Sequence, residues 1–482
     1  MAAQRPSTRR AASLTLGAMI LLIIWYNRIF NASSQTPRPM TDISTHAPAS
    51  HPDTSPSDNP QVDLSSTRAP FISWPLRRLC TEQVKSESLV PGLIFICDNN
   101  SGGPGNIRNY ILTCVRYAIE AGATGLQIPQ IRTRSVSDKA DLFKEHQPLS
   151  YMFSEAHFQA AMGEACPHIW LFPSDGGLEA IPGVKAKAAR EKLPPERMVR
   201  SITPKEFGGS RAGCDSRDPN RHTDRFGSAF RQWVRDTVAD LGLRPPSWEN
   251  PMLVRLSWGV LWDWNIFRDG PELAATFGGL LRIREDILEL ADRIVLSIKE
   301  FAISEAESGS KRLEKIMYGG RFLGIHLRTE EDALSQWPTY ENQSKGYLHM
   351  AEKQGFGGGV VYLASGSENE TRKFSEDAQT DVNLKVKSKY DLVQGQELER
   401  LKSFSWDQQA LVDFAVLLQS DYFVGVSPSS FSINVALKRH LQNEGLYTRP
   451  WKVGASDKRS WLVGRYFSYW DDWLFMFDGM WP

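Results

Sequence analysis

Short apolar runs alternate with amphipathic stretches through the second half of this chain. Phe322–His326, Val360–Ala364, Val382–Val386 and Tyr422–Val426 are mostly apolar runs of strand length, as expected for strands buried on both faces. Between and after them, Gly346–Lys353, Asn369–Asp377, Asp407–Gln419 and Ser429–His440 carry helical periodicity. Strands alternating with helices of this size predict a parallel sheet covered on both sides. The first half opens in the same way. Leu93–Cys97 is strand-like, Asp98–Gly105 is a glycine-rich loop, and Asn106–Ala121 places Ile107, Ile111, Leu112, Val115 and Ala118 on one helical face. Gly125–Pro129 then predicts a second strand, which begins a β-α-β unit. Residues 226–243 form an amphipathic helix stopped by Pro245-Pro246. Leu280–Phe301 forms another, with Glu289 and Arg293 one turn apart on its solvent side. From 130 to 225, Pro, Gly and charge interrupt every apolar run, and no element is predicted. The expected architecture is α/β, with two Rossmann-like halves facing a cleft.

The N-terminus has a different pattern. Arg5, Arg9 and Arg10 precede an uncharged, mostly apolar run from Ala11 to Tyr26, and Arg28 alone follows closely. This predicts a transmembrane signal-anchor over 11–27, a cytosolic tail over 1–10 and a lumenal body. A cleaved signal peptide is the rival reading, but Trp25-Tyr-Asn-Arg-Ile-Phe stands where a small-x-small cleavage site is needed. Residues 28–72 are rich in Ser, Thr and Pro and poor in large apolar residues, so they predict a disordered stem. The body divides into an N-terminal Rossmann-like domain with helical insertions (73–315), a C-terminal Rossmann-like domain (316–445) and an aromatic-rich segment packing on the body (446–482). This layout suits a type II enzyme of the Golgi or ER membrane.

Composition narrows the partners. Lys+Arg and Asp+Glu both total 56, so no basic excess points to nucleic acid. The 5 cysteines, Cys80, Cys97, Cys114, Cys166 and Cys214, include no CxxC and no Cys/His pair at zinc spacing. They allow one or two disulfides with a thiol left over, and the pairing stays open. Asn-x-Ser/Thr sequons at Asn31, Asn99, Asn342 and Asn369 fit a lumenal body.

Candidate chemistry sits at strand ends. Strand Phe322–His326 runs into His326-Leu-Arg328, with Asp332 four residues on. Ligands of open α/β sheets bind at that carboxyl edge, and arginine's planar fork suits a diphosphate. Asp332 either orients Arg328 or is one of three solvated acids. The loop Gly102-Gly103-Pro104-Gly105 follows a strand and opens a helix, so its amides could hold a phosphate. It lacks the dinucleotide fingerprint, because Arg108 stands at the third glycine position, and a plain tight turn explains it equally well. Asn106 and Arg108 are the side chains such a loop would aim at the cleft. Asp413 interrupts the apolar helix Ala410–Leu418 and needs partners. Guanine offers two adjacent N–H donors, and an ion pair is the ordinary alternative. Ser429, Ser430 and Ser432 open the last helix of the sheet, where capping explains one of them.

Taken in order, Gly-x-Gly-Asn106-x-Arg108, Gly-Ile-His326-Leu-Arg328-x-x-x-Asp332, Val-Tyr362-Leu-Ala364-Ser365, Val412-Asp413 with Ser420-Asp421-Tyr-Phe-Val-Gly, and Ser429-Ser430-Phe431 resemble the GDP-fucose protein O-fucosyltransferase superfamily. The likeness is to its divergent fungal members. It runs from Leu93 to His440 and is dense after Arg321. The resemblance implies a GT-B fold, GDP-fucose as donor, an inverting reaction, a protein or glycan hydroxyl as acceptor, and neither metal nor other cofactor. It also implies roles. Arg328 grips the β-phosphate and glycosidic oxygen with His326 beside it, and Asp413 reads guanine. Ser429, Ser430 and Phe431 hold the phosphates at a helix start, while Asn106 sits at the reacting centre with the Gly103–Gly105 backbone. Arg108, Asp332 and Ser365 are supporting candidates. Some family members carry a glutamate three residues before the loop asparagine as catalytic base; Gly103 stands there in this chain. Gly366 likewise stands where relatives commonly show an acid. Another nucleotide sugar as donor, or a non-catalytic GDP-sugar-binding protein on the same fold, are the alternatives.

Overall fold

The computed structural model describes residues 62–135, 144–207, 223–308, 320–329, 337–442, 453–455 and 457–482. Two five-stranded sheets organise them. The first has the order β5-β2-β1-β7-β6, built from Trp170–Phe172, Ala123–Gln127, Val90–Ile96, Met252–Leu256 and Arg200–Ile202. The second has the order β10-β9-β8-β11-β12, built from Lys385–Lys387, Val360–Ala364, Phe322–His326, Tyr422–Val426 and Ser460–Val463. Every pairing inside both sheets is parallel. Parallel neighbours need crossovers, and helices supply them on both faces. The central strands are accordingly apolar throughout, with Phe95, Leu323, Ile325 and Val424 all 0% exposed. The α/β, two-halved Rossmann-like expectation holds.

Hydroxyl caps set where the helices of the second half begin. Thr339, Ser367, Ser405 and Ser429 each accept a hydrogen bond from the amide three residues on, at the starts of Tyr340–Lys353, Glu368–Val382, Trp406–Leu418 and Ser430–His440. Satisfying an orphan N–H in this way fixes the first turn. Gln408 adds a return bond to the Ser405 amide at 3.0 Å. Each of these helices runs antiparallel to its strands, so their N-termini gather at the carboxyl edge of the sheet.

Several boundaries differ from the sequence expectation. The Thr339 cap starts the first of these helices at Tyr340, six residues before Gly346. The helix after β9 continues to Val382, and Asn383 turns left-handed at φ 55°. The following strand therefore begins at Lys385 rather than Val382. Glu289 and Arg293 do not pair with each other. Glu289 meets Arg400 at 3.0 Å and Arg293 meets Glu397 at 3.6 Å, both on the neighbouring Gly395–Ser403 helix. Between 130 and 225 the structure has the antiparallel hairpin β3–β4 (Gln130–Thr133 and Glu145–Pro148), strands β5 and β6, and the helix Glu155–Ala165. Residues 62–72 are not a detached stem: Arg68 bonds Asp292 and Glu285, Ser65 is buried, and Phe71 packs on the core. The signal-anchor segment 11–27 lies outside the described residues, among which no helix is long and apolar enough to cross a membrane.

Two disulfides, Cys80–Cys166 and Cys97–Cys114, settle the open pairing; Cys214 lies outside the described residues. The second ties the end of β1 to the Pro104–Ala121 helix across a sequence separation of 17, and so brackets the glycine loop. A closed loop of this length constrains the unfolded chain by roughly 3 kcal/mol. The double variant Cys97→Ala/Cys114→Ala should lose about that much in urea unfolding, with its secondary structure intact by circular dichroism.

Candidate active site

The carboxyl edges of the two sheets face a cleft of about 910 Å³, at the upper end of the range of small-ligand pockets. One wall is the glycine loop. Asp98 takes a bidentate bond from Arg255 of β7, both distances 2.7 Å. Asn100 donates to the Gln130 carbonyl at 2.7 Å and accepts from the Arg132 amide at 2.9 Å. These contacts pin the loop to β7 and to the hairpin. Gly102 turns at φ +97°, a left-handed conformation that favours glycine, and Gly103 caps the Pro104–Ala121 helix. Gly105 is needed for a different reason. A Cβ there would lie 3.0 Å from the Ser430 carbonyl carbon and 3.1 Å from the Phe431 amide. The start of one long helix thus touches the start of another, and two sets of unsatisfied N–H groups lie close together. Helix N-termini favour anions.

The opposite wall is built on β8. His326 is the last strand residue; its Nδ1 lies 2.7 Å from Ser432 Oγ, and its ring centroid is 4.5 Å from that of Phe431. Ser432 Oγ also accepts from the Val426 amide at 3.2 Å, so the imidazole is oriented by the turn that opens the Ser430 helix. Gln343 clamps the Arg328 backbone, accepting from its amide at 3.0 Å and donating to its carbonyl at 2.8 Å. The Arg328 guanidinium lies 5.7 Å over the Trp337 ring. The clamp fixes the base of a long side chain, which leaves less freedom to lose on binding.

Asp413 is the buried acid of the cleft. Its Oδ1 accepts from Tyr362 and its Oδ2 from Lys389, both at 2.6 Å, and the Asp413 and Lys389 side chains are each 8% exposed. Burial, then the adjacent Asp413 charge, push the Tyr362 hydroxyl well above its ordinary range, so it stays a donor. Each Asp413 oxygen has one lone pair left for a ligand.

The cleft therefore brings together Gly103, Gly105, Asn106, His326, Arg328, Ser365, Asp413, Ser429, Ser430 and Phe431. Asn106 Oδ1 is buried without a hydrogen-bond partner, and Ser365 Oγ accepts from the Ser367 amide at 3.2 Å. Asp332 lies outside the described residues. Arg108 is a correction. It points away from the cleft and donates to the Trp481 and Pro482 carbonyls at 2.7 and 2.6 Å, where burial lowers its pKa to about 10. Asn106 and Arg108 both belong to the helix, and residues two apart on a helix do not face the same way. Sequence reasoning missed Arg134, Lys389, Trp258, Trp337 and Trp406, which also line the cleft. Among the described residues no group of three or more His, Cys, Asp or Glu is placed to hold a metal.

Comparison with known proteins follows the same segment. Residues 93–442 match the model of the family described as GDP-fucose protein O-fucosyltransferase. Among solved structures, POFUT1 in complex with GDP shares 14% identity over 78% of this chain and 100% of its own, with a TM-score of 0.42. The fucosyltransferase NodZ from Bradyrhizobium shares 14% over 73% of this chain and 93% of its own, with a TM-score of 0.34. A point mutant of Arabidopsis thaliana FUT1 in complex with GDP shares 11% over 76% of this chain and 71% of its own, with a TM-score of 0.35. No curated protein matches. Because the family model spans β1 through the Ser430–His440 helix, this chain belongs to the GDP-fucose protein O-fucosyltransferase family and is a glycosyltransferase of the fucosyltransferase type.

Proposed function

We propose that this protein transfers fucose from GDP-fucose to a hydroxyl of a protein or glycan, with inversion and without a metal ion, as a type II membrane protein of the Golgi or ER. The observation that carries this is the meeting of two helix N-termini, at Gly103–Gly105 and Ser429–Phe431, across from Arg328. Departure of GDP builds negative charge on the β-phosphate. Donors aimed in advance at that charge stabilise it as it forms, and here they are backbone amides and a guanidinium. Asp413 accepts guanine N1–H and N2–H on its remaining lone pairs, while His326 and Phe431 hold the donor between them. Asn106 lies at the reacting carbon with the loop backbone, and the acceptor hydroxyl approaches the opposite face of the sugar. Two buried disulfides support an oxidising compartment. The sequon asparagines Asn342 and Asn369 are exposed on helices, which leaves them accessible to modification in a lumenal body.

A second reading has a specific basis. Gly103 stands where some family members carry a glutamate and Gly366 where relatives commonly show an acid, which favours a protein that binds GDP-sugar without turning it over. Release of GDP from GDP-fucose, with and without protein and glycan acceptors, separates the two. Turnover supports transfer, and tight GDP binding with no release supports the non-catalytic reading. In the transfer reading His326→Ala should weaken donor affinity by about tenfold and turnover less, because its role is positioning. A purely turnover-based loss in steady-state kinetics would reassign His326 to the chemical step.

A further inference from the structure

Another cavity lies behind the first turn of the Pro104–Ala121 helix. Pro104 and Gly105 line both this cavity and the cleft, so that turn is the wall between them. The other sides come from distant parts of the chain. Phe71 belongs to the 62–72 segment, Phe153, Leu281 and Ile283 to the N-terminal half, and Leu411 and Phe414 to the Trp406–Leu418 helix. The volume is about 70 Å³. One water needs roughly 10–15 Å³ of such space, so several water-sized groups fit.

The charged residues of this cavity are all cations. Arg108, Arg282 and Lys438 line it, and among the described residues no acid does. The two arginines donate to main-chain carbonyls, those of Trp481 and Pro482 for Arg108 and that of Ala69 for Arg282. Lys438 donates to the Leu64 carbonyl at 2.9 Å, which engages one of an ammonium's three N–H groups. Burial, then the charge of Arg108, lower Lys438 to about 7, and Asp63 opposes them. Asp63 is itself engaged by Ser65, whose amide and hydroxyl donate to its Oδ1 at 2.9 and 2.6 Å. A cation held against apolar walls calls for a counter-charge, and an anion beside Lys438 favours its protonated form. Phosphate would answer the charge but leave its other oxygens desolvated against phenylalanine and leucine side chains. A carboxylate on a short alkyl chain answers both the charge and the walls.

We propose that this cavity binds a small apolar carboxylate of about three to five carbons, with its charge on Lys438 and its chain among the apolar walls. The site is separate from the cleft and does not depend on the donor reading. Melting temperatures and calorimetric affinities of the full-length protein and of Lys438→Met are measured with acetate, butyrate, 1-butanol and butylamine. Sodium chloride at equal ionic strength is the reference. Butyrate should raise the wild-type melting temperature by about 2 °C or more near saturation, and 1-butanol and butylamine should not. Each methylene from acetate to butyrate should tighten binding about fourfold. Lys438→Met keeps the length of the side chain and should lose butyrate binding. No butyrate response in wild type, or equal responses to butyrate and 1-butanol, overturns the proposal without any need for the variant to fold. Unchanged butyrate binding in folded Lys438→Met overturns it as well. The butyrate response should persist at saturating GDP; a response that GDP abolishes places the carboxylate in the cleft and removes the second site. Failure of GDP to bind counts against the donor reading alone and leaves the butyrate result standing.

Discussion

Arg328→Lys should lower turnover by ~10²–10³ while leaving the fold unchanged. Lysine keeps one positive charge but presents a compact ammonium in place of a planar fork. Bidentate contact with a phosphate and the bridging oxygen is then lost. The backbone at this position is held by Gln343 through two bonds, at 3.0 and 2.8 Å, and neither involves the guanidinium. The substitution therefore reaches the proposed chemistry without disturbing the strand end that presents it. If Arg328 stabilises only the transition state, the KM for GDP-fucose stays near wild type and kcat carries the loss. A variant as active as wild type would remove Arg328 from the mechanism.

Asp413→Ala should destabilise the protein by ~3–5 kcal/mol, the usual consequence of removing one partner from a buried ion pair. Lys389 would be left buried with its carboxylate partner at 2.6 Å gone, and the Tyr362 hydroxyl would lose its acceptor. From sequence alone this substitution is expected to test guanine recognition with the fold intact, because the helix Ala410–Leu418 shows an acid in need of partners but not which ones. Asp413→Asn combined with Lys389→Met is the milder test, since it removes both charges together. Urea unfolding at neutral pH measures the difference. A loss under about 1 kcal/mol for Asp413→Ala would mean that water replaces the carboxylate and that the site is wetter than the structure indicates.

What was legible in the sequence follows from how local the controlling physics is. Phe322–His326, Val360–Ala364 and Tyr422–Val426 coincide with their predicted ranges because a strand buried on both faces must be a continuous apolar run. Arg328, His326 and the Ser429–Phe431 helix start were legible because strand edges and helix starts are local signatures. Caps moved the helix boundaries: Thr339 added a first turn of mixed polarity that periodicity alone does not reveal. Arg108 was misplaced because the loop ends at Gly103, and two helical steps then turn it away from Asn106. Glu289 and Arg293 have the spacing of a helical pair, yet each has a better-placed partner on the Gly395–Ser403 helix. Arg134 and Lys389 reach the cleft through contacts between elements distant in sequence, which no local pattern encodes.

The most direct test of the central claim is calorimetric titration of the full-length protein with GDP, UDP and CMP under one buffer. An acid reading the two adjacent N–H groups of guanine, with amides and Arg328 on the diphosphate, predicts that GDP binds at least about tenfold more tightly than UDP. CMP, with one phosphate and no guanine, should be weaker still. Equal affinity for GDP and UDP would contradict guanine recognition by Asp413 and with it the assignment of GDP-fucose as the donor.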